Sequence, residues 1–272
     1  MSTRTTEEQK WEEIEAARTE ARASKRNYES VWHATYASYQ NALMLSFLPA
    51  AADTAVLDCG CGVGVLLKDL LDRYPCVHGL DISAESLKLV ECSHPALQGL
   101  VVGDAEQPPY ADGVFDAVLL RGTLHHLANF GQGMGEFRRI LKPGGVLVVA
   151  EPCSDVPFIN WGRKLLSKRQ EKAFGTRELR NLFPTAGFSV VGERRFGYLA
   201  FALTYVLQRP LASLSRPAWL WRSIIRSLIL LDEMLGRIPF LNRSNLGAIV
   251  AGRALGESAR CTPRVPTGKR WS

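Results

Sequence analysis

The chain has 272 residues, of which 46% are hydrophobic, enough for the core of one large domain with additions. Residues 1–150 carry a net charge of −6 and residues 151–272 a net charge of +12, so an anionic partner is expected at the C-terminal half unless these charges form a solvated face. The six cysteines lack zinc spacing and the N-terminus lacks an apolar signal core, which predicts a cytoplasmic protein without a metal site.

Residues 1–48 are predicted to form a helical extension. Thr5 to Arg26 is rich in Glu, Ala, Lys and Arg and carries few apolar residues, which indicates a solvated helix. From Tyr28 to Leu48, aromatic and apolar residues recur at helical spacing. This second helix is therefore expected to present an aromatic face.

A glycine-rich turn follows. Ala55 to Leu57 is predicted to be a buried strand, and the next residues space three glycines as G-x-G-x-G before a helix at Val65 to Leu71. The glycines allow a sharp turn and a close approach of the backbone to a ligand. Asp81 ends the second predicted strand, where its carboxylate can accept both hydroxyls of a ribose.

The glycine spacing separates two ligand classes. A dinucleotide site uses G-x-G-x-x-G, and here Val65 stands where its last small residue would lie. Asp58, just before the turn, suits a cationic ligand better than a phosphate. A nicotinamide-dependent reductase is therefore disfavoured.

Residues 53–151 alternate short apolar strands with helices. This order predicts an α/β fold with a doubly wound, mostly parallel sheet and a ligand crevice at the carboxyl ends of its strands. The fifth strand is predicted at Val146 to Ala150 and the last at Leu246 to Ala251.

Residues 197–242 form a predicted helical insertion before the last strand. Its longest apolar run, Ala218 to Leu235, is broken by Arg222 and Arg226, so no transmembrane segment is predicted. A helical wheel of this run shows an apolar stripe formed by Trp219, Leu220, Ile224, Leu228, Leu231 and Leu235. The stripe could cap an apolar pocket, contact a membrane peripherally, form a homodimer or pack on the sheet. Residues 256–272 are predicted to be a disordered tail.

Five ordered sequence blocks resemble class I S-adenosylmethionine-dependent methyltransferases. They are Asp58-Cys59-Gly60-Cys61-Gly62-Val63-Gly64, Gly103-Asp104-Ala105, Arg121 to Leu127, Leu141-Lys142-Pro143-Gly144-Gly145 and Thr176 to Phe188. The resemblance covers roughly residues 50–196. It implies a Rossmann-like catalytic domain at residues 49–255. It also implies that the preceding helix, which ends at Leu48, lies over the cofactor as a lid; the alternative is that the aromatic stripe of this helix packs on the core.

The resemblance also implies S-adenosyl-L-methionine as the cofactor. Asp58 and the three glycines would shape the pocket for its amino-acid part, Asp81 would bind the ribose, and the Arg121 backbone would bind the ammonium. The Arg121 side chain is expected to face an acidic acceptor or Glu151. The full predicted cofactor set is Tyr28, Asp58, Gly60, Gly62, Gly64, Asp81, Ile82, Asp104, Ala105 and Arg121.

The predicted catalytic residues are His125, His126 and Glu151. The histidines follow the fourth strand, and certain sugar O-methyltransferases of this family place a histidine pair there with an acidic residue after the fifth strand. One of the two histidines would act as general base, and the sequence does not favour either. The alternative is that the histidine packs against the cofactor or caps the following helix.

The expected function is O-methylation of a small-molecule acceptor: a hydrophobic or sugar-bearing metabolite or a lipid-linked glycan. The alternative is a methyltransferase-like nucleoside-binding scaffold or regulator without turnover. Nucleic acid is not an expected partner, because the chain has no RNA-binding module and no N-P-P-Y tetrad after the fourth strand.

Overall fold

A computed structural model of the chain describes residues 30–51, 53–94, 97–153, 155, 174–202, 204, 217–238 and 246–256. The predicted helix at Thr5 to Arg26, the cofactor contact Tyr28 and nearly all of the predicted tail lie outside the described residues. The predicted boundaries of lid, catalytic domain and insertion stay predictions.

The described residues build one sheet of seven strands. The strands are β1 (Ala55–Cys59), β2 (Cys76–Asp81), β3 (Gly99–Val102), β4 (Phe115–Arg121), β5 (Leu141–Pro152), β6 (Phe188–Phe196) and β7 (Gly247–Ala254). Their order is β3-β2-β1-β4-β5-β7-β6, with the first five parallel and β7 antiparallel to both neighbours. The predicted α/β class is confirmed. The chain order reverses between β1 and β4, the point where such sheets bind ligands.

Helices cover both faces of this sheet. They are α1 (Val31–Leu45), α2 (Leu67–Leu71), α3 (Ala84–Ser93), α4 (Phe130–Ile140), α5 (Thr176–Thr185), α6 (Leu199–Ala202) and α7 (Ala218–Leu235), with a 3₁₀ turn at Leu124–His126. Helices α1, α2, α3 and α7 pack on one face, and α4 and α5 pack on the other. Adjacent residues of a strand serve opposite faces: in β1, Val56 contributes to the first cluster and Leu57 to the second.

Strand β5 begins earlier than predicted. It starts at Leu141 rather than at Val146, because Leu141 already pairs with Phe115 of β4. The pairing then shifts to Ala117 and Val146, and the residues between them bulge around Gly144, whose φ is +80°. The predicted turn is thus a bulge inside a longer strand.

Helix α7 is rotated relative to its predicted apolar stripe. Its buried residues are Ile225, Ile229 and Asp232, whereas Trp219 and Leu231 of the predicted stripe are exposed. Asp232 accounts for this rotation, because its buried carboxylate accepts hydrogen bonds from the backbone N–H groups of Tyr198, Leu199 and Ala200. No described helix is both long and apolar enough to span a bilayer.

Asp232 is expected to be a main anchor of α7. Its carboxylate, which is 4% exposed, accepts from the N–H groups of Tyr198, Leu199 and Ala200 at 3.0, 2.9 and 3.1 Å. Replacing it by alanine leaves buried donors unsatisfied, so Asp232→Ala should lower the free energy of unfolding by about 2–3 kcal/mol in urea titrations.

The neighbouring exposed carboxylate offers a matched control for this experiment. Among the described residues, the Glu233 carboxylate accepts one hydrogen bond, from the Tyr39 hydroxyl at 2.5 Å. Glu233→Ala should cost less than about 1 kcal/mol. Equal losses in the two variants would contradict the anchoring role of Asp232.

Candidate cofactor and acceptor site

The glycine turn after β1 is held against the end of β2. The N–H groups of Gly60 and Cys61 both donate to the Leu80 carbonyl, at 2.7 and 3.0 Å. Gly60, Gly62 and Gly64 have φ angles of +77°, +52° and +81°, in the left-handed region that favours glycine. The G-x-G-x-G spacing therefore encodes the backbone shape of this turn.

Gly60 and Gly62 differ in what surrounds them. A Cβ at Gly60 would lie 2.3 Å from Cγ2 of Thr123, whereas a Cβ at Gly62 would meet no described atom within 4 Å. Thr123 follows β4, so Gly60 lets the glycine turn and the β4 end approach each other. The open side of Gly62 leaves space at the crevice for a ligand.

This difference predicts unequal effects of two alanine substitutions. Gly60→Ala adds overpacking against Thr123 to the cost of a positive φ, so it should lower the free energy of unfolding by about 2–5 kcal/mol. Gly62→Ala carries only the backbone cost, about 1–2 kcal/mol. Urea denaturation of both variants checks this order, and a larger loss for Gly62→Ala would contradict the described packing.

Asp81 is fixed at the end of β2 by the glycine turn. Its Oδ2 accepts from the Gly62 N–H at 2.7 Å, and its Oδ1 accepts from the Ser83 N–H at 2.9 Å. Burial raises the pKa of this carboxyl, while these N–H groups and the charge of His126 oppose the rise. Each oxygen of a carboxylate has a second lone pair, so both can still accept from a diol.

Asp58 is a buried carboxyl in the same crevice. It is 1% exposed, and neither of its oxygens has a hydrogen-bond partner among the described residues. Burial raises its pKa to about 7; Arg121 opposes this rise and Asp81 adds to it. An unsatisfied buried carboxylate is costly, and a cationic ligand would remove that cost.

The Arg121 side chain reaches toward helix α1. Its Nη2 donates to Oε1 of Gln40 on α1 at 2.8 Å, and its charge acts on Asp58 and His33. The orientation expected from the sequence, toward an acidic acceptor or Glu151, stays a prediction. Arg121 links the end of β4 to α1.

Glu151 and His125 form a buried pair. The Glu151 carboxylate is fully buried as a side chain; its Oε1 accepts from the Leu124 N–H at 2.7 Å, and its Oε2 lies 2.5 Å from Nδ1 of His125. The His125 side chain retains 11% exposure. This contact fixes the ring orientation and favours the tautomer with the proton on Nδ1.

The two histidines face different partners. Their ring centroids are 4.0 Å apart, yet they have different neighbours. His125 contacts Glu151, whereas the exposed His126 lies close enough to Asp81 that its charge lowers the pKa of the Asp81 carboxyl. The structure therefore distinguishes residues that the sequence left equivalent. His125 is the histidine whose ring contacts the buried Glu151 carboxylate.

The remaining predicted cofactor residues lie at the ends of β2 and β3. Oδ1 of Asp104 accepts from the Glu106 N–H at 2.9 Å, which shapes the turn after β3. Ala105 is buried and Ile82 is half-buried. Together with Asp81, these residues surround the same edge of the sheet.

Helix α1 contributes residues that sequence reasoning missed. Gln40 bonds Arg121, and the Asn41 side chain donates to the Val65 carbonyl at 3.0 Å and to Asp69 at 2.6 Å. Both are buried polar residues beside the aromatic stripe that includes Tyr36. The signal available in the sequence was that Gln40 and Asn41 are polar residues within a helix that carries an aromatic stripe. Within the described residues, no group of three His, Cys, Asp or Glu side chains is arranged to hold a metal.

The fold and this crevice define a class of protein: a doubly wound α/β protein with a nucleoside site at the switch point of its sheet. Residues 57–149 match the methyltransferase domain family. A demethylmenaquinone methyltransferase of Lactiplantibacillus plantarum is 31% identical over 183 residues, which cover 56% of this chain and 77% of that protein. The chain belongs to the class I S-adenosylmethionine-dependent methyltransferase family, and S-adenosylmethionine is its cofactor.

Other similarities cover less of the relative or show the fold alone. A demethylmenaquinone methyltransferase of Beutenbergia cavernae is 37% identical over 107 residues, 39% of this chain and 44% of that protein. The chain spans less than half the length of several curated relatives that it matches. A geranyl diphosphate C-methyltransferase of Streptomyces coelicolor, solved with S-adenosyl-L-homocysteine, has a TM-score of 0.59 and 17% identity over 80% of this chain and 76% of its own.

The residues of the crevice fit this cofactor. The unsatisfied Asp58 carboxylate suits a ligand with an ammonium group, and Asp81 is fixed in an orientation that suits a ribose diol. The open face of Gly62 provides the space that the ligand needs between them. A pyrophosphate would instead meet two buried acidic side chains, so a dinucleotide fits poorly.

Proposed function

We propose that the chain transfers a methyl group to a hydroxyl of a small acceptor, with His125 as general base. One observation carries this proposal: the buried Glu151 carboxylate holds Nδ1 of His125 at 2.5 Å beside the cofactor crevice. A base that removes the hydroxyl proton as the new bond forms contributes typically ~10²–10⁴-fold. An acceptor that is already nucleophilic would not need this pair.

The protein's own residues have separate tasks in this proposal. S-adenosylmethionine, when bound, supplies an activated methyl group on a sulfonium. Asp58 binds its ammonium, Asp81 binds its ribose, and Asp104 and Ala105 border its adenine. Positioning of the acceptor against the methyl group contributes much of the remaining rate.

The proton follows a defined route. In the resting state, Nδ1 of His125 donates to Glu151, so Nε2 is the ring nitrogen that takes the proton from the acceptor hydroxyl. The resulting imidazolium is stabilised by the Glu151 carboxylate, which keeps its own charge. The acceptor oxygen gains the methyl group, and the sulfonium is left as a neutral thioether.

The acceptor we infer is a hydrophobic or sugar-bearing metabolite, or a lipid-linked glycan. Relatives named as demethylmenaquinone methyltransferases support a small acceptor over a nucleic acid. The net charge of +12 over residues 151–272 supports an acceptor that also carries an acidic group. A cytoplasmic location is part of this proposal.

The rival function is a scaffold that binds the cofactor without turnover. The fixed His125–Glu151 pair counts against it, because cofactor binding alone does not require a base. The discriminating experiment measures release of S-adenosylhomocysteine from S-adenosylmethionine with panels of hydroxyl, amine and thiol acceptors. We expect release with hydroxyl acceptors; tight cofactor binding without release for any acceptor would favour the scaffold.

A further inference from the structure

The outward face of α7 exposes a group of large apolar side chains. Trp219, Leu230 and Met234 are 68%, 66% and 63% exposed, respectively. At 100° per residue they fall within roughly 60° of one another. With Leu231 and the following Ile238, also exposed, they form what we call the outward face.

Arginines border this outward face. Arg222, Arg226 and Arg237 are all exposed, and none has an ion-pair partner within the described part of the chain. On the wheel, Arg226 falls within roughly 20° of Trp219, and Arg237 follows the end of the helix. The exposed carboxylate nearby, Glu233, accepts a hydrogen bond from Tyr39 of α1. The face therefore combines apolar contact area with a net positive border.

We propose that the outward face of α7 binds the surface of an anionic lipid bilayer. Its apolar side chains would enter the boundary between headgroups and acyl chains, and its arginines would contact the anionic headgroups, as in interfacial amphipathic helices. A second copy of this chain fits less well, because a symmetric contact would bring like-charged arginines together. The basic balance of residues 151–272 agrees with an anionic surface.

Helix α7 packs against α1, the helix beside the cofactor crevice. Trp221 of α7 stacks on Trp32 of α1 with ring centroids 3.9 Å apart, and Glu233 bonds Tyr39. Helix α1 in turn holds Arg121 through Gln40. A bilayer bound at the outward face would thus contact the helix that packs on α1, the helix linked to Arg121. The bilayer proposal does not depend on turnover.

Vesicle sedimentation tests the proposal directly. The full chain is mixed with phosphatidylcholine vesicles, with or without about one third phosphatidylglycerol. We expect sedimentation with the anionic vesicles, and binding at least about tenfold weaker for the double variant Leu230→Glu/Met234→Glu. Arg222→Gln and Arg226→Gln should each weaken binding about fivefold at low salt.

Matched measurements keep this test interpretable. Val191→Glu changes an apolar residue that is 49% exposed on β6 and should bind vesicles like the unchanged chain. Calorimetric titration with S-adenosylhomocysteine should give the same affinity in all these variants, which separates this proposal from a failure of the proposed function. Absent vesicle binding, equal binding to neutral vesicles, or a solution dimer that only the Leu230→Glu/Met234→Glu variant disrupts would overturn the proposal.

Discussion

Replacing His125 by alanine is expected to lower kcat by ~10²–10⁴-fold while leaving cofactor affinity nearly unchanged. The reason is the division of roles in the proposed mechanism: His125, which contacts Glu151, would take the acceptor proton, whereas Asp58 and Asp81 would bind the cofactor. Steady-state kinetics with a hydroxyl acceptor measure the loss. Calorimetry with S-adenosylhomocysteine measures the affinity.

His126 offers the matched control, because it is the adjacent residue with the same side chain. It lies toward Asp81 and is exposed, whereas His125 contacts the buried Glu151 carboxylate. His126→Ala should therefore change kcat much less than His125→Ala. Equal kcat losses, or a normal kcat in His125→Ala, would show that alignment rather than base catalysis drives the reaction.

In the proposed mechanism, Glu151 acts through His125 as a positioning residue. Glu151→Gln keeps one acceptor oxygen, which can serve Nδ1 of His125 or the Leu124 N–H but not both, and it removes the negative charge opposite the imidazolium that forms during proton transfer. We expect kcat to fall while KM and cofactor affinity stay nearly constant. A purely structural role would instead lower stability and affinity together.

Replacing Asp58 by asparagine should stabilise the protein without cofactor and weaken cofactor binding. Burial raises the pKa of Asp58 from 3.8 to about 7, so the folded state holds this proton more tightly than the unfolded state. The resulting stability is complete below about pH 4 and is lost as the pH rises through about 7. At 1.36 kcal/mol per pKa unit, the rise from 3.8 to about 7 corresponds to a total loss of about 4 kcal/mol.

Urea denaturation at about pH 5 and about pH 8 measures this effect. The wild type should lose stability between these values, Asp58→Asn should lose less, and the exposed Asp112→Asn should behave like the wild type. Cofactor affinity should rise with pH toward about 7, because the charged carboxylate binds the ammonium, and this rise should be absent in Asp58→Asn. Identical pH profiles in wild type and Asp58→Asn would contradict the assignment.

The sheet and the cofactor crevice were predictable because short-range patterns encode them. The alternation of strands and helices indicated the parallel sheet, and the glycine spacing indicated the left-handed φ angles of Gly60, Gly62 and Gly64. The position of Asp81 at the end of β2 follows from the same pattern. These features depend on residues close together in the chain.

Other features depend on contacts between distant segments. The choice between the two histidines required the position of Glu151, which lies 26 residues from His125. Arg121 bonds Gln40, 81 residues away, and the rotation of α7 depends on Asp232 reaching the N–H groups near Tyr198. Periodicity on a single helix does not specify which face a distant partner covers.

The most direct test of the proposed function follows the methyl group itself. The chain is incubated with S-adenosylmethionine labelled with ¹³C at the methyl carbon and with hydrophobic and sugar-bearing alcohols, and the products are analysed by nuclear magnetic resonance. We predict a methyl ether signal that His125→Ala nearly abolishes. A labelled methyl group on nitrogen or carbon, or bound cofactor with no transfer to any acceptor, would contradict O-methylation by the His125–Glu151 pair.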